Sequence, residues 1–329
     1  MIIRDERDVT SAVLDELQRA EHSRFRELMK AAVEHLHGFV RDARLTEAEF
    51  HQACGLIAKL GQLTTPSHNE VVLIAGSLGI SSLVCLLNNG NNGQTETTAN
   101  LMGPFWRADS PRMSNDASIV RTPTPGSPIF VQAWVRDLQG RPLEGVEVDV
   151  WHTSAEGLYE NQDPEQGDMN LRGKFTSDAT GRIAFRSVKP VGYPIPLSGP
   201  VGALLKAQGR HNMRPAHIHF MFHKPGFKTQ FSQVYSSDDP NLETDVQFGV
   251  TQALVGQYVL HAAEEPAPAE DMSGSLVLAR SSLRARTRRS EAAAAADHRQ
   301  GERPAAAIAD PESPTLTRRL PPARGLLEI

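Results

Sequence analysis

The sequence predicts an α+β fold: an N-terminal all-helical domain followed by an antiparallel β-sandwich catalytic domain. Three observations carry that prediction. Residues 5–100 repeat apolar side chains at the helical i, i+3, i+4 spacing. After Gly103-Pro104-Phe105-Trp106 the pattern changes to period-2 alternation, which belongs to strands. Regular turn signals then cut the second part into short segments, as a sandwich requires. The expected divisions are 1–105 helical, 106–285 sandwich and 286–329 a disordered tail.

Among the helices, Val9, Val13, Leu14 and Leu17 mark a short amphipathic one over Asp8 to Ala20. Phe25, Leu28, Met29, Ala32, Val33, Leu36 and Val40 mark a longer second one. Thr46-Glu47-Ala48-Glu49 and Ser67-His68-Asn69-Glu70 each have the form of a capping box, in which a hydroxyl and a carboxylate satisfy each other's backbone N–H. The helix after the second box is expected to run through Val71, Leu73, Ile74, Leu78, Leu83 and Leu86. It should stop at Asn88-Asn89-Gly90-Asn91-Asn92-Gly93, since Asn and Gly tolerate left-handed backbone. Four or five helices therefore precede any strand.

Ile129 to Arg136 is rich in β-formers, and Val146, Val148 and Val150 alternate with Glu147 and Asp149 after a turn at Asp137 to Pro142. Lys174 to Ser177 and Arg182 to Val188 flank Asp178-Ala179-Thr180-Gly181, a hairpin signal. A histidine-bearing strand follows, then Gln230 to Tyr235 and a weaker candidate at Ser275 to Ala279. From about Ser290 the Ala/Pro/Arg/Glu mixture lacks a core pattern, and Arg284, Arg286, Arg288 and Arg289 read as a solvated basic boundary.

Composition narrows the function. A net charge of -5 argues against nucleic-acid binding, which calls for a basic face. Two cysteines, Cys54 and Cys85, are too few for a disulfide framework or a thiolate metal cluster. The opening Met1-Ile2-Ile3-Arg4-Asp5 leads into no apolar signal region, and serines and glycines interrupt the apolar run from Val71 to Leu87. A cytoplasmic protein without membrane insertion is expected. Phosphate-binding loops, nucleophile elbows, helix-borne His-Glu-x-x-His motifs and tandem repeats are not found in the sequence.

The chemistry concentrates in Arg214-Pro215-Ala216-His217-Ile218-His219-Phe220-Met221-Phe222-His223. On a strand, His217 and His219 share one face about 7 Å apart at ~3.3 Å per residue, so their imidazoles can converge on one ion. Alone, the pair reads more readily as two histidines on a polar surface. Two tyrosines, Tyr159 and Tyr193, stand where loops leave strands. A phenolate is a hard anionic donor suited to a ferric ion, although a single loop tyrosine more often packs its ring and hydrogen-bonds its hydroxyl. Together with the His strand, the tyrosines favour a metal site.

The ordered set Leu158-Tyr159, Gly192-Tyr193-Pro194 and Gly209-Arg210-His211-Asn212-Met213-Arg214-Pro215-Ala216-His217-Ile218-His219-Phe220 resembles the intradiol ring-cleavage dioxygenases of the catechol 1,2-dioxygenase type. The resemblance runs from about Phe25 to about Gly256 and includes Leu101-Met102-Gly103-Pro104-Phe105. It implies one non-haem Fe(3+) per subunit held by Tyr159, Tyr193, His217 and His219. It also implies an aromatic diol or triol and O2 as substrates, cleaved to a cis,cis-muconate-type product. By the same resemblance, Tyr193 is implied as the tyrosine that gives way to substrate, while Tyr159 stays. Arg214 and Gln233 are implied at the reacting region, and Gly103, Pro104, Phe105, Ile195 and Pro196 as pocket wall. A homodimer joined through the helical domains, with a bound lipid, is implied as well. His152, His211 and His223 are expected to be structural.

Within the family, Tyr193-Pro194-Ile195-Pro196-Leu197-Ser198-Gly199-Pro200-Val201-Gly202 is most similar to the hydroxyquinol 1,2-dioxygenase branch, which converts 1,2,4-trihydroxybenzene to maleylacetate. Cys85 departs from that branch, whose members usually carry an aspartate on this pocket-lining helix. Catechol or chlorocatechol 1,2-dioxygenase activity is therefore the alternative. From other classes, a non-catalytic β-sandwich with a structural or copper site and a zinc hydrolase built on His217 and His219 compete. Neither has a use for two tyrosines, because catalytic zinc takes nitrogen, carboxylate or thiolate ligands.

Overall fold

A computed structural model describes residues 2–65, 69–89, 97–100, 102–262, 264, 268 and 276–285. The tail expected over 286–329, most of the Asn/Gly loop and Ser67 lie outside the described residues. Among the described residues five helices precede the first strand: α1 (Asp8–Leu17), α2 (Ser23–Asp42), α3 (Glu47–Gln62), α4 (Glu70–Ser77) and α5 (Ile80–Asn88). The first capping box forms. Thr46 N–H donates to Glu49 Oε2 at 2.9 Å, and Glu49 N–H donates to Thr46 Oγ1 at 3.3 Å. At α4 the cap is Asn69, whose Oδ1 accepts from Val72 N–H at 2.9 Å.

The single helix expected from Val71 to Leu86 is instead two, α4 and α5, bent by 76°. Gly79 sits at the break with φ 73°, a left-handed conformation that ends a helix and that glycine adopts without a Cβ penalty. No single helix among the described residues is long and apolar enough to cross a membrane.

Residues up to Phe50 form one compact unit, and the described residues from His51 onward form another. In the first, Thr10 Oγ1 meets His37 Nδ1 at 2.9 Å, and Arg41 donates to Thr10 Oγ1 at 2.8 Å and to Glu6 Oε2 at 3.2 Å. In the second, α4 packs against an unexpected helix, α6 (Pro200–Ala207). Proline at its start suits a first helical turn. Glu70, fully buried, accepts from Val201 N–H at 3.1 Å and so ties α4 to the start of α6.

The strands are β1 (Pro128–Arg136), β2 (Glu147–His152), β3 (Arg172–Thr176), β4 (Arg182–Val188), β5 (Tyr193–Pro194), β6 (Met213–Arg214), β7 (His217–His223), β8 (Gln230–Ser236), β9 (Val255–His261) and β10 (Leu276–Arg284). Eight of them make one sheet in the order β3-β2-β7-β8-β9-β10-β1-β4, and β5 pairs with β6 separately. The sheet is mixed, which corrects the antiparallel expectation. β10 runs parallel to β1 from Ile129↔Val277 to Arg136↔Arg284, and β8 meets β9 in parallel at Tyr235↔Val255. The final strand returns by a long connection and enters beside β1 from the same end, which a hairpin cannot do.

Between the two halves of the sheet lies the main core. Ile129, Val131, Ala133 and Val135 of β1 pack in one cluster with Val148, Val150, Ile218, Phe220, Phe222 and Val234. Because Ile218, Phe220 and Phe222 face this core, the pleat turns His217, His219 and Met221 to the opposite face of β7. That face is also covered: Trp151, Tyr159 and Met221 cluster there with Phe105, Trp106 and Tyr193. One strand therefore serves the core with one set of side chains and a second, buried polar site with the other.

Candidate metal centre

β7 lies between β2 and β8, so His219 stands opposite both Trp151 and Gln233. Trp151 stacks on His219 at 4.7 Å between ring centroids, with 7° between planes, which fixes the plane of the imidazole. His217 Nδ1 donates to Pro215 O at 2.7 Å. A carbonyl can only accept, so Nδ1 carries the proton and Nε2 presents its lone pair. The two Nε2 atoms approach to 3.2 Å.

Two phenols complete the cluster. Tyr159 Oη lies 3.0 Å from His219 Nε2, and its ring is edge-on to Tyr193 at 5.9 Å. Tyr193 is tilted against His217 at 5.6 Å. Tyr159 is fully buried, stacked on Phe105 at 4.2 Å and held at its backbone by Gln162, whose Oε1 accepts from Tyr159 N–H at 3.1 Å. Tyr193 is half-buried and rests on the two-residue β5–β6 ladder, paired with Arg214. Gly157 (φ 75°) makes room for it, since a Cβ there would lie 3.2 Å from Tyr193 Cβ.

The donor set fits a hard trivalent cation. Burial, then the neighbouring positive charges, push His217 down to about 3, and burial with His217 and Arg214 holds His219 well below the usual imidazole range. Both rings are neutral at pH 7; His217 presents Nε2 as a nitrogen donor, and His219 does so when its proton sits on Nδ1. Burial and the adjacent Tyr193 push the Tyr159 phenol well above its ordinary value, against the opposing cations Arg214 and Arg172. Only a strongly charged ion in contact would make it anionic. Among the described residues no group of three or more His, Cys, Asp or Glu side chains could hold a metal, so a four-donor site here needs the tyrosines.

A buried network stands behind the cluster. Arg214 donates from Nη2 to Tyr235 Oη at 2.8 Å and Gln233 Oε1 at 3.1 Å, and from Nε to Asp245 Oδ1 at 3.3 Å. Because Gln233 Oε1 faces a guanidinium, its amide nitrogen faces His219 Nδ1, at 3.3 Å. Asp245 Oδ2 also accepts from Gly249 N–H at 2.8 Å. Asn100 donates to Tyr235 Oη at 3.1 Å and to Gly249 O at 3.0 Å. Nη1 of Arg214 has no hydrogen-bond partner among the described residues, on a side chain 10% exposed. Tyr235, Asp245 and Asn100 were not singled out from sequence. Tyr235 had a usable signal, since its register places it opposite His217; Asp245 and Asn100 had none.

The other expected residues separate into two groups. Gly103 (φ 74°) lies against His219, where a Cβ would come within 3.4 Å of Cε1, and Phe105 covers Tyr159. Pro104 and Pro196 are exposed. Ile195 packs with Leu60, Val201, Leu205 and Val246 in a second small core. Cys85 is half-buried on α5, with its thiol pushed up by burial. One turn earlier, Ser82 Oγ donates to Gln247 O at 3.3 Å, which turns this helix face toward the segment holding Asp245. Among the described residues these four make no hydrogen bond or ring contact to the His/Tyr cluster. His152 is structural as expected, bonded at both nitrogens to Thr153 O and Ser187 Oγ at 2.7 Å. His211 Nδ1 accepts from Met213 N–H, and His223 meets Thr229 Oγ1.

Comparison with known proteins shows the family. Residues 22–96 match the family model for the catechol dioxygenase N terminus, and residues 101–279 match the dioxygenase family model. The 6-chlorohydroxyquinol 1,2-dioxygenase of Cupriavidus pinatubonensis is 36% identical over 256 residues, covering 78% of this chain and 92% of the relative. The hydroxyquinol 1,2-dioxygenase of a Rhizobium species is 36% identical over 248 residues, covering 75% and 83%. The solved hydroxyquinol 1,2-dioxygenase of Pseudomonas putida DLL-E4 superposes with a TM-score of 0.78 at 34% identity, over 86% of this chain and 98% of that one. A mixed sheet bearing a His-x-His strand faced by two tyrosines, together with matches over most of its length, makes this chain a member of the intradiol ring-cleavage dioxygenase family, enzymes of the oxidoreductase class.

Proposed function

We propose that Tyr159, Tyr193, His217 and His219 hold one ferric ion per subunit, and that the enzyme uses O2 to open hydroxyquinol between its adjacent hydroxyl-bearing carbons, giving maleylacetate. The observation that carries this reading is the meeting of the His217 and His219 Nε2 atoms and Tyr159 Oη at 3.0–3.2 Å, with the Tyr193 ring closing the set. Ferric iron held by these residues would supply a Lewis acid for the substrate's adjacent oxygens, making the ring reactive toward dioxygen.

The protein's own groups divide the remaining work. Tyr193 is the half-buried phenol on a short ladder, so its oxygen is the one free to leave the centre and take a proton from an incoming ring hydroxyl. Tyr159, buried and stacked, keeps its place. Arg214 is tethered through Nε and Nη2, which leaves Nη1 to face negative charge gathering on the substrate. Gln233 holds Arg214 and His219 in mutual register. Gly103 and Phe105 close the centre on the side of His219 and Tyr159 and exclude water there.

Residues 1–105 are assigned to dimerisation and 106–285 to catalysis. A homodimer is supported by α2, on which Phe25, Leu28, Leu36 and Phe39 remain 51–62% exposed in the single chain. A cavity of about 420 Å³ lined by Val9, Val40, Leu45 and Phe50, with His37 and Arg41 at its polar side, suits a lipid. The test is a parallel turnover assay of the iron-loaded enzyme with hydroxyquinol, catechol and chlorocatechols. Hydroxyquinol should have the highest kcat/KM, with measurable catechol turnover. A higher kcat/KM for catechol would move the enzyme to the catechol branch, and a yellow semialdehyde product would overturn the cleavage position.

A further inference from the structure

Beside the centre lies a buried ion pair that the proposed chemistry does not use. Arg172 Nη2 is 2.7 Å from Glu160 Oε2, with side chains only 1% and 2% exposed. Such pairs seldom add net stability, because desolvation offsets attraction, so their retention calls for a local task. Arg172 Nη1 donates to Phe105 O at 2.6 Å. The Phe105 ring in turn stacks on Tyr159 at 4.2 Å with 23° between planes. Glu160 directly follows Tyr159, and its other oxygen accepts from Arg107 Nη1 at 2.8 Å, which fixes the carboxylate from a second side. One guanidinium therefore grips the Tyr159 ring through its stacking partner and the Tyr159 backbone through the next residue.

The chain is held tightly where it delivers this arginine. Met169 and Leu171 have φ 58° and 57°, values that side chains with a Cβ rarely adopt. Asn170 between them is fully buried; its Oδ1 accepts from Arg121 N–H at 2.8 Å, and its amide donates to Thr124 Oγ1 at 2.9 Å and Gln166 Oε1 at 3.0 Å. Backbone strain of this kind persists only where surrounding contacts over-determine it, and it gathers at functional sites.

We propose that Arg172 and Glu160 form a buried ionic bracket that sets the position of the Tyr159 ring, which makes Arg172 a positioning residue for the metal centre. The inference rests on the ferric reading above for its spectroscopic arm but not for its metal-free one. The experiment compares the parent protein with Arg172→Met, Arg172→Lys and Phe105→Leu. In ferric-loaded Arg172→Met, the visible tyrosinate charge-transfer band should shift and weaken, and iron affinity measured against a chelator should fall ~10–100-fold, as when a ligand's supporting contact is lost. Arg172→Lys keeps the charge without the fork and should fall between. Phe105→Leu keeps the carbonyl contact but loses the stack, and should show part of the shift. In the metal-free proteins, near-UV circular dichroism from the stacked rings should drop in Arg172→Met and Phe105→Leu while the far-UV spectrum holds. If Arg172→Met does not fold, Arg172→Lys and Phe105→Leu decide the matter. Unchanged bands, iron affinity and near-UV spectra in the folded variants would overturn the bracket. A ferric-loaded parent without a visible band would overturn the metal reading, and the metal-free spectra would still decide the bracket.

Discussion

Replacing Asp245 by asparagine tests the network that aims Arg214. The carboxylate is 3.3 Å from Arg214 Nε through Oδ1 and 3.4 Å from Nη2 through Oδ2, and side-chain exposures are 2% for Asp245 and 10% for Arg214. Removing one partner of a buried pair typically costs about 3–5 kcal/mol. Here the amide keeps one oxygen, and Gln233 and Tyr235 still accept from Arg214, so about 2–3 kcal/mol is expected. For a unit of this size that corresponds to a fall in Tm of roughly 4–12 °C. The pH dependence follows from Asp245 itself. Burial pushes its carboxyl up, but Arg214 and the N–H groups of Gln247 and Gly249 outweigh it and hold the carboxyl below its usual range. A depressed folded value means stability that is fully present above the unfolded pKa of about 3.9 and lost as pH falls through the folded value. Paired melting curves of parent and Asp245→Asn should thus differ most near neutral pH and converge in acid. A gap that is the same at neutral and strongly acid pH would refute a stabilising role for the Asp245 charge.

Three further outcomes are expected. Tyr159→Phe should lose or blue-shift part of the visible band of the ferric protein and weaken iron retention; unchanged colour and iron content would remove Tyr159 from the centre. His152, pulled by burial to about 4, must gain a proton on unfolding in acid, so the stability it permits is full above about pH 6.5 and is lost as pH falls toward 4. The loss amounts to about 3 kcal/mol at most, and chemical denaturation should show His152→Gln with a flatter pH profile over that window. Cys85→Asp should raise the hydroxyquinol-to-catechol ratio of kcat/KM by roughly 5- to 150-fold if the carboxylate takes up a third ring hydroxyl; an unchanged ratio would show that this side chain does not face the substrate.

What could be read from sequence depended on whether a residue's partner was local. The first three helices and the alternation of β7 depend on near neighbours and stand as read, whereas the one helix expected from Val71 to Leu86 missed the break at Gly79. β9 escaped notice because Gly256 interrupts it and Val259 and Leu260 point outward, 58% and 72% exposed, which erases the alternation. β10 was cut short at Ala279 because Arg280, Ser281 and Ser282 look like a strand's end, although Leu283 returns to the core. Its parallel pairing with β1 joins segments about 150 residues apart in the chain and leaves no local trace. The same limit governs the site. Tyr159, Tyr193, His217 and His219 stood out by residue type and by family motif. Asp245 and Arg172 are ordinary charged residues until the fold brings Arg214 and Phe105 to them.

The two tyrosines differ in how firmly the fold holds them, and that difference matches the chemistry proposed for each. Tyr159 is held at its ring by Phe105, at its backbone by Gln162, and through Glu160 by two arginines. Tyr193 hangs on a ladder only two residues long. A short ladder with a half-exposed phenol opens at low cost, because few buried contacts are lost with it. The strand opposite Tyr193 carries the buried cation Arg214. The looser hold thus falls on the ligand proposed to exchange with substrate. The donors proposed to keep the ion are set on the interior strand β7 and in the stacked, ion-paired shell around Tyr159.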